Sequence, residues 1–208
     1  MLVTEKEAME SIGWGGLTCY ISRFLTPPLS AVIGRYKSAF SDKIYNEENN
    51  DLDVLMNIFG ITPILKRENR QYWGRELGMC WQLIVSTLCK ARCADYAPSK
   101  RFGADEPYDL IVGKYAIDTK YRIGSGDSGT LKKFKQYGPM LKNEGYIPVL
   151  LIVRSDNLPA AITACVSGGW RVYHSVDAFN FIQKITKFDL YSTLDSMQGK
   201  FAVVRKQV

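Results

Sequence analysis

The chain has 208 residues, a net charge of +6 and 46% hydrophobic residues. This length suits one domain that buries a core without disulfides, and no apolar run approaches the roughly 20 residues of a membrane span. The first residues, MLVTEKEAMESIGW, lack the basic start and apolar centre of a signal peptide, so we expect a cytoplasmic protein without a membrane partner.

The cysteine pattern argues against a structural zinc site. Five cysteines stand at irregular spacing without a CxxC pair, and His174 is the single histidine. Because zinc ligands usually come as closely spaced pairs, we expect reduced thiols instead.

Positive charge is concentrated beyond the first third of the chain. Residues 1–60 carry five Lys and Arg against eight Asp and Glu, whereas residues 61–208 carry 22 against 13. A basic surface favours a polyanionic partner, and nucleic acid is the commonest one.

Short helices are predicted in the first 60 residues. Residues 4–11 favour one helix, and two consecutive prolines precede a second segment with helical spacing, LSAVIGRYKSAF. Further along, Asp51 or Asp53 is placed to cap a short helix that ends near Gly60.

The clearest long helix covers residues 70–94. Its apolar residues recur every three or four positions and form one stripe, which contains Trp73, Leu77, Trp81, Ile84 and Leu88. Glu76 lies beside this stripe and not opposite it.

A β-hairpin follows the long helix. The segments DLIV, from Asp109, and KYAIDTKYRI, ending at Ile123, predict its two strands. Gly113 and Lys114 between them suit a tight two-residue turn with glycine first.

Helices and strands alternate in the second half. The loop GSGDSGT leads into a helix from Gly129 to about Asn143, capped by Asp127 or Ser128, and YIPVLLIVR is a buried strand. TACVSGGWRVYH is predicted as strand, turn and strand, and residues 176–187 as an amphipathic helix. This order predicts an α/β fold with a mixed β-sheet flanked by helices.

Three charged residues of the hairpin indicate a catalytic metal site. Asp118 and Lys120 are two apart on one strand, so their side chains leave the same face of the sheet. The tight turn could bring Asp109 close to Asp118, and two converging carboxylates suit Mg²⁺, with the carbonyl of Thr119 as a natural further ligand. Lys120 could then orient water, stabilise developing charge or help proton transfer in phosphodiester hydrolysis.

This pattern resembles a known superfamily. A proline, Asp109 and, after eight residues, the tripeptide Asp118-Thr119-Lys120 resemble the Pro-Asp…(Asp/Glu)-x-Lys nucleases, which include most type II restriction endonucleases. The resemblance covers residues 70–155 and extends to the αββαβ core common in that superfamily. It implies a Mg²⁺-dependent endonuclease of double-stranded DNA, without an organic cofactor, that acts as a homodimer on a short palindrome.

The resemblance also implies roles for individual residues. The metal ligands and catalytic residues that it implies are Asp109, Asp118, Thr119, Lys120 and Glu76. Glu76 stands where several members place a glutamate on the preceding helix. Tyr108 separates Pro107 from Asp109, so Asp105 is the substitute candidate for the first metal ligand.

DNA contacts are predicted directly after the catalytic strand, at Arg122, Ser125, Gly126, Ser128, Lys132 and Lys133. Arg122 shares a face with Asp118 if the strand stays regular, and the small loop residues permit close approach of the backbone to phosphate. The lysines can bind phosphates, although an exposed helix face is the simpler account of them.

We expect a single nuclease domain over residues 1–208. Residues 1–69 would form a helical region for dimerisation or DNA contact, residues 70–155 the catalytic core, and residues 156–208 further strands and helices. The alternatives are a repair or junction-resolving nuclease of the same superfamily, a non-cleaving DNA-binding protein, and a chance Asp-x-Lys pair on a solvated strand.

Overall fold

The computed structural model describes residues 26–41, 48–103, 105–124 and 128–203. The chain divides into two compact units, residues 1–45 and residues 46–208. In the first unit, helix α1 covers Thr26–Ser41 and confirms the helix predicted after the two prolines. The helix predicted for residues 4–11 lies outside the described residues.

Two short helices open the second unit. Helix α2, Val54–Phe59, is capped by Asp53, whose carboxylate accepts hydrogen bonds from the backbone N–H groups of the first turn, and it ends at Gly60 with φ +62°. These bounds confirm the prediction for this segment. Helix α3, Pro63–Glu68, was not predicted, because six residues are too few to display a helical period.

The predicted long helix is confirmed as α4, Arg70–Arg92. Leu77, Trp81, Val85 and Cys89 form its buried stripe at intervals of four residues. The predicted stripe is therefore rotated slightly, since Trp73, Ile84 and Leu88 are only partly buried at its margins.

Five strands form one mixed sheet in the order β1-β2-β3-β4-β5. The strands are β1 Tyr96–Pro98, β2 Leu110–Val112, β3 Tyr115–Lys120, β4 Ile147–Ile152 and β5 Arg171–His174. The pairs β1–β2 and β2–β3 are antiparallel, and β3–β4 and β4–β5 are parallel. The predicted α/β class, with a mixed sheet flanked by helices, is confirmed.

The hairpin of β2 and β3 forms as predicted, with Leu110 opposite Ile117. Gly113 adopts φ +53° in the turn, a conformation that glycine reaches without a steric penalty. Strand β3 ends at Lys120, three residues before the end predicted from sequence.

Four further helices complete the described part of the second unit: α5 Ser128–Asn143, α6 Pro159–Ser167, α7 Val176–Thr186 and α8 Leu190–Asp195. The strand predicted at the start of TACVSGGWRVYH is wrong, because residues 163–167 belong to α6. Pro159 at the helix start and several alanines favour a helix there, and a short apolar run does not distinguish the two structures. The second strand of that segment is β5.

Helices pack on both faces of the sheet. Ile117, Val149 and Leu151 join a buried cluster with α2, α4, α7 and α8, whereas alternate residues such as Ala116 and Leu150 join a cluster with α5 and α6. Because side chains alternate along a strand, these clusters occupy opposite faces. Within the described residues, no helix is long and apolar enough to cross a membrane.

Two glycines allow α5 to lie close to the segment after α6. A Cβ on Gly138 would collide with the carbonyl oxygen of Gly168, and a Cβ on Gly168 would collide with that of Phe134. The same Phe134 carbonyl accepts a hydrogen bond of 2.9 Å from the indole Nε1 of Trp170. The close approach of α5 to the segment after α6 therefore depends on the absence of side chains at both glycines.

We predict that Trp81→Ala lowers the free energy of unfolding by about 3–5 kcal/mol, because the fully buried indole fills the core and donates to the Leu151 carbonyl. Chemical denaturation monitored by circular dichroism measures this change. Leu83→Ala, at an exposed position of the same helix, is the control and should change stability by no more than about 0.5 kcal/mol. Equal losses in the two variants would contradict the packing described for α4.

Candidate active site

Asp118 and Lys120 lie together at the end of β3, on the face covered by α5 and α6. The Lys120 Nζ donates hydrogen bonds to Asp118 Oδ1 at 2.7 Å and to the Thr119 carbonyl oxygen at 3.2 Å. Both side chains line a cleft of about 480 Å³, which is also lined by the loop before β2 and by one side of α5. The carboxylate is 12% exposed and the lysine side chain 40% exposed, so the lysine is the more accessible of the two.

The surroundings alter the pKa of both groups. Burial raises the pKa of Asp118 to about 6, and the charge of Asp109 adds to this while Lys120 opposes it. For Lys120, burial favours the neutral amine, but the charges of Asp118 and Asp109 outweigh it and raise its pKa. The three groups therefore form one electrostatic unit, with a lysine that stays positive beside a carboxylate of raised pKa.

Asp109 is held in a different manner from Asp118. Its Oδ2 accepts hydrogen bonds from the backbone N–H of Thr119 at 2.7 Å and from the Thr119 hydroxyl at 2.6 Å, and its Oδ1 accepts one from Gln82 Nε2 at 2.8 Å. Thr119 follows Ile117 on the α4 face of the sheet, so these bonds tie Asp109 to that side. Three donors therefore fix a carboxylate whose charge still reaches Asp118.

Gln82 was missed in the sequence. An amide within the apolar run CWQLIV of a long helix is the available signal, because a polar side chain there needs a partner. Glu76, the residue chosen instead, forms an ion pair of 2.8 Å with its neighbour Arg75. In the described structure, Gln82 is thus the α4 side chain bonded to Asp109, and Glu76 contacts solvent and Arg75.

The donors available for a cation are all oxygen atoms. Asp118 and the carbonyl of Thr119 lie beside Lys120 at the end of β3, Asp109 is bonded to Thr119, and oxygen ligands are those that Mg²⁺ prefers. Among the described residues, no group of three or more His, Cys, Asp and Glu side chains is arranged to hold a metal. A cation bound here would therefore keep several water ligands, as Mg²⁺ commonly does.

The predicted DNA contacts are spread over three environments. Arg122 is turned toward the loop after β4, where its Nε lies 3.0 Å from the Asp156 carbonyl oxygen and 3.3 Å from the Asp156 carboxylate. Lys132 is exposed on α5, and Lys133 pairs with Asp105 at 3.2 Å beside the cleft. Ser125 and Gly126 lie outside the described residues, as does the side chain of Ser128, which begins α5.

A buried polar network lies directly behind the end of β3. The hydroxyl of Tyr121, next to Lys120, accepts a hydrogen bond of 2.7 Å from Lys66 and donates one to the α2 cap, Asp53. Arg154, which follows β4 and is buried, also donates to Asp53, at 3.2 Å. These isolated charged residues carry no sequence motif, and only the fold brings them together to anchor the strand.

Comparisons with protein-family models, with curated proteins and with solved structures found no match for this chain. The function therefore has to be inferred from the residues and geometry of the site.

We predict that Lys120→Met raises the pKa of Asp118 above about 6, because the positive charge that lowers it is removed while burial remains. An NMR titration of the Asp118 side-chain carboxyl in EDTA measures the change. Lys114→Met, in the exposed turn of the same hairpin, removes an equal charge at the other end and should leave that pKa unchanged. An unchanged or lower pKa in Lys120→Met would contradict the electrostatic coupling.

Proposed function

We propose that this protein is a Mg²⁺-dependent type II restriction endonuclease, which hydrolyses phosphodiester bonds of double-stranded DNA at a short palindrome. One observation carries the proposal: a buried aspartate and an accessible lysine share the floor of an open cleft, with a second carboxylate within electrostatic reach. The resemblance of these residues to the Pro-Asp…(Asp/Glu)-x-Lys nucleases supports it, as does the order α4, β1, β2, β3, α5, β4, which contains that core with one additional short strand, β1.

In this proposal Asp118 and Asp109 hold the cation, with the Thr119 carbonyl as a further ligand. When bound, Mg²⁺ would polarise the phosphodiester and lower the pKa of a water molecule. Gln82 and the Thr119 hydroxyl orient the Asp109 carboxylate, since they donate to both of its oxygens. Gln82 is thus a positioning residue and makes no contact with the substrate in this scheme.

Lys120 supplies positive charge where the phosphate would enter. Its Nζ lies 2.7 Å from Asp118, so an anionic oxygen beside that carboxylate is within reach of the ammonium group. A fixed cation of this kind stabilises the negative charge that develops on phosphate oxygens during attack by water. The exposed lysines of α5 would contact the flanking backbone, which makes binding dependent on salt concentration.

The proposal includes a homodimer, because a palindrome has two-fold symmetry and two identical subunits read it with equivalent contacts. Analytical ultracentrifugation with and without DNA measures the oligomeric state directly.

We predict that Asp118→Asn abolishes DNA cleavage yet leaves DNA affinity within a few fold, because a neutral amide oxygen binds Mg²⁺ far more weakly than a carboxylate does. Digestion of a mapped plasmid with Mg²⁺ measures cleavage, and electrophoretic shifts in EDTA measure affinity. Asp195→Asn, at an exposed position of α8, is the control and should cut normally.

The digestion pattern also separates the alternatives. Discrete bands support a restriction enzyme, whereas preference for branched DNA would indicate a junction-resolving nuclease. If the wild-type protein bound DNA without cutting it, the proposed nuclease activity would be overturned. Full activity of Asp118→Asn would overturn the assignment of Asp118 to the active site.

We predict that Gln82→Leu lowers kcat by about 10-fold to 100-fold and leaves DNA affinity unchanged, because an unheld Asp109 no longer presents its oxygens in one orientation. Single-turnover cleavage and binding in EDTA measure the two quantities separately. Gln183→Leu, exposed on α7, is the matched control. A parallel loss of affinity and rate in Gln82→Leu would indicate a general structural role for Gln82.

A further inference from the structure

Two ion pairs stand at the mouth of the cleft. Arg101 Nε lies 2.9 Å from Glu106 Oε1, and Lys133 Nζ lies 3.2 Å from Asp105 Oδ1. All four residues line the cleft that contains Asp118 at its floor. The cations of this cleft mouth are therefore occupied by carboxylates of the protein itself.

The two acids are carried by the loop that precedes β2. We call its described part, residues 101–103 and 105–107, the cleft loop. The backbone groups of Phe102 and Asp105 exchange hydrogen bonds of 2.9 and 3.2 Å, which gives the loop a tight turn. This turn presents the Asp105 carboxylate to α5.

Lys133 binds that carboxylate, and Tyr137 lines the cleft beside it. They are four residues apart on α5, so their side chains lie on the same side of the helix. The Lys133 ammonium donates a hydrogen bond of 3.2 Å to Asp105. Tyr137 and Lys133 both lower the pKa of Asp105, so the carboxylate is ionised next to one neutral and one charged donor.

The same donors suit a phosphate group. An ammonium, a hydroxyl and the guanidinium of Arg101 supply hydrogen bonds and charge to anionic oxygens in a single cleft. Asp105 and Glu106 are partly exposed where they meet these cations, and ion pairs in such positions are weak. A polyanion that adds the attraction of its neighbouring phosphates can therefore displace them.

We propose that Arg101, Lys133 and Tyr137 form a second phosphate site, which binds a backbone phosphate of DNA near the one that is cut. Asp105 and Glu106 occupy this site in the free protein and leave it when DNA enters. This inference rests on the proposed function, and it assigns Asp105 a role as competitor of the substrate instead of metal ligand.

Binding of a short fluorescein-labelled DNA duplex, measured by anisotropy in EDTA, tests the proposal without any cleavage. The variant Asp105→Asn with Glu106→Gln should bind the duplex about threefold to tenfold more tightly than the wild type, because the competing carboxylates are gone. Lys133→Met and Tyr137→Phe should each bind it more weakly.

The charge-matched control is Asp177→Asn with Asp195→Asn, two exposed acids on α7 and α8. It raises the net charge by the same amount away from the cleft and should improve binding less. In a Lys133→Met background, Asp105→Asn should bring no gain, because the carboxylate then has no ammonium to compete for.

Equal effects of the acid variant and its control would overturn the second phosphate site, as would wild-type affinity in Lys133→Met and Tyr137→Phe. Loss of Mg²⁺-dependent cleavage with unchanged binding in Asp105→Asn would also overturn it, because that result identifies Asp105 as a metal ligand. A wild-type protein that cuts no DNA but shows the expected binding pattern would overturn the proposed nuclease activity and support the second phosphate site. A protein that binds no duplex would overturn both.

Discussion

Strand β3 is hydrogen-bonded along both edges, to β2 on one side and to β4 on the other. This central position limits where a charged side chain can be placed along the strand. A strand in that position is covered by helices on both faces, so its side chains from Ala116 to Thr119 are buried. A carboxylate on such a strand needs compensating charge or a bound cation. Asp118 satisfies this need through Lys120, two residues further along, where the sheet opens into the cleft. The alternation of side chains then sends Thr119 to the opposite face, where it holds Asp109.

The polar network behind Lys120 holds the end of β3 in place. Tyr121 directly follows β3, Arg154 lies two residues after β4, and both are bonded to Asp53, the residue that caps α2. Burial raises the pKa of Tyr121 and lowers that of Lys66. Tyr121 therefore remains a neutral phenol that is hydrogen-bonded to the charged residues of the network. A buried set of this kind is costly to leave half satisfied, which favours one arrangement of the strand ends over others.

Local features of the sequence were sufficient for much of the fold and for part of the site. The cap at Asp53, the glycine turn at Gly113 and the period of α4 each act over a few residues, and each was predicted. Strand β1 and helices α3 and α8 are too short to carry a period, and they were not. The sequence singled out Glu76 and not Gln82, and the difference between their positions has a geometric reason. Six residues rotate a helix by about 240° beyond a full turn, so the two side chains leave different faces. Which of them meets Asp109 depends on how α4 is rotated against the sheet, and that is a property of the whole core.

The close contact between α5 and the segment after α6 has a consequence for the size of what can enter the cleft. Lys133, Phe134 and Tyr137 of α5 line the cleft together with Trp170, whose ring packs against that of Phe134, so the position of this wall is set by the distance at which α5 rests. That distance is fixed by Gly138 and Gly168, where even a methyl group would meet a backbone carbonyl. A chain with alanine at either position would need to move the whole helix outward and would carry its donors away from β3. The width of the cleft thus depends on Gly138 and Gly168, two residues without a side chain that do not line it.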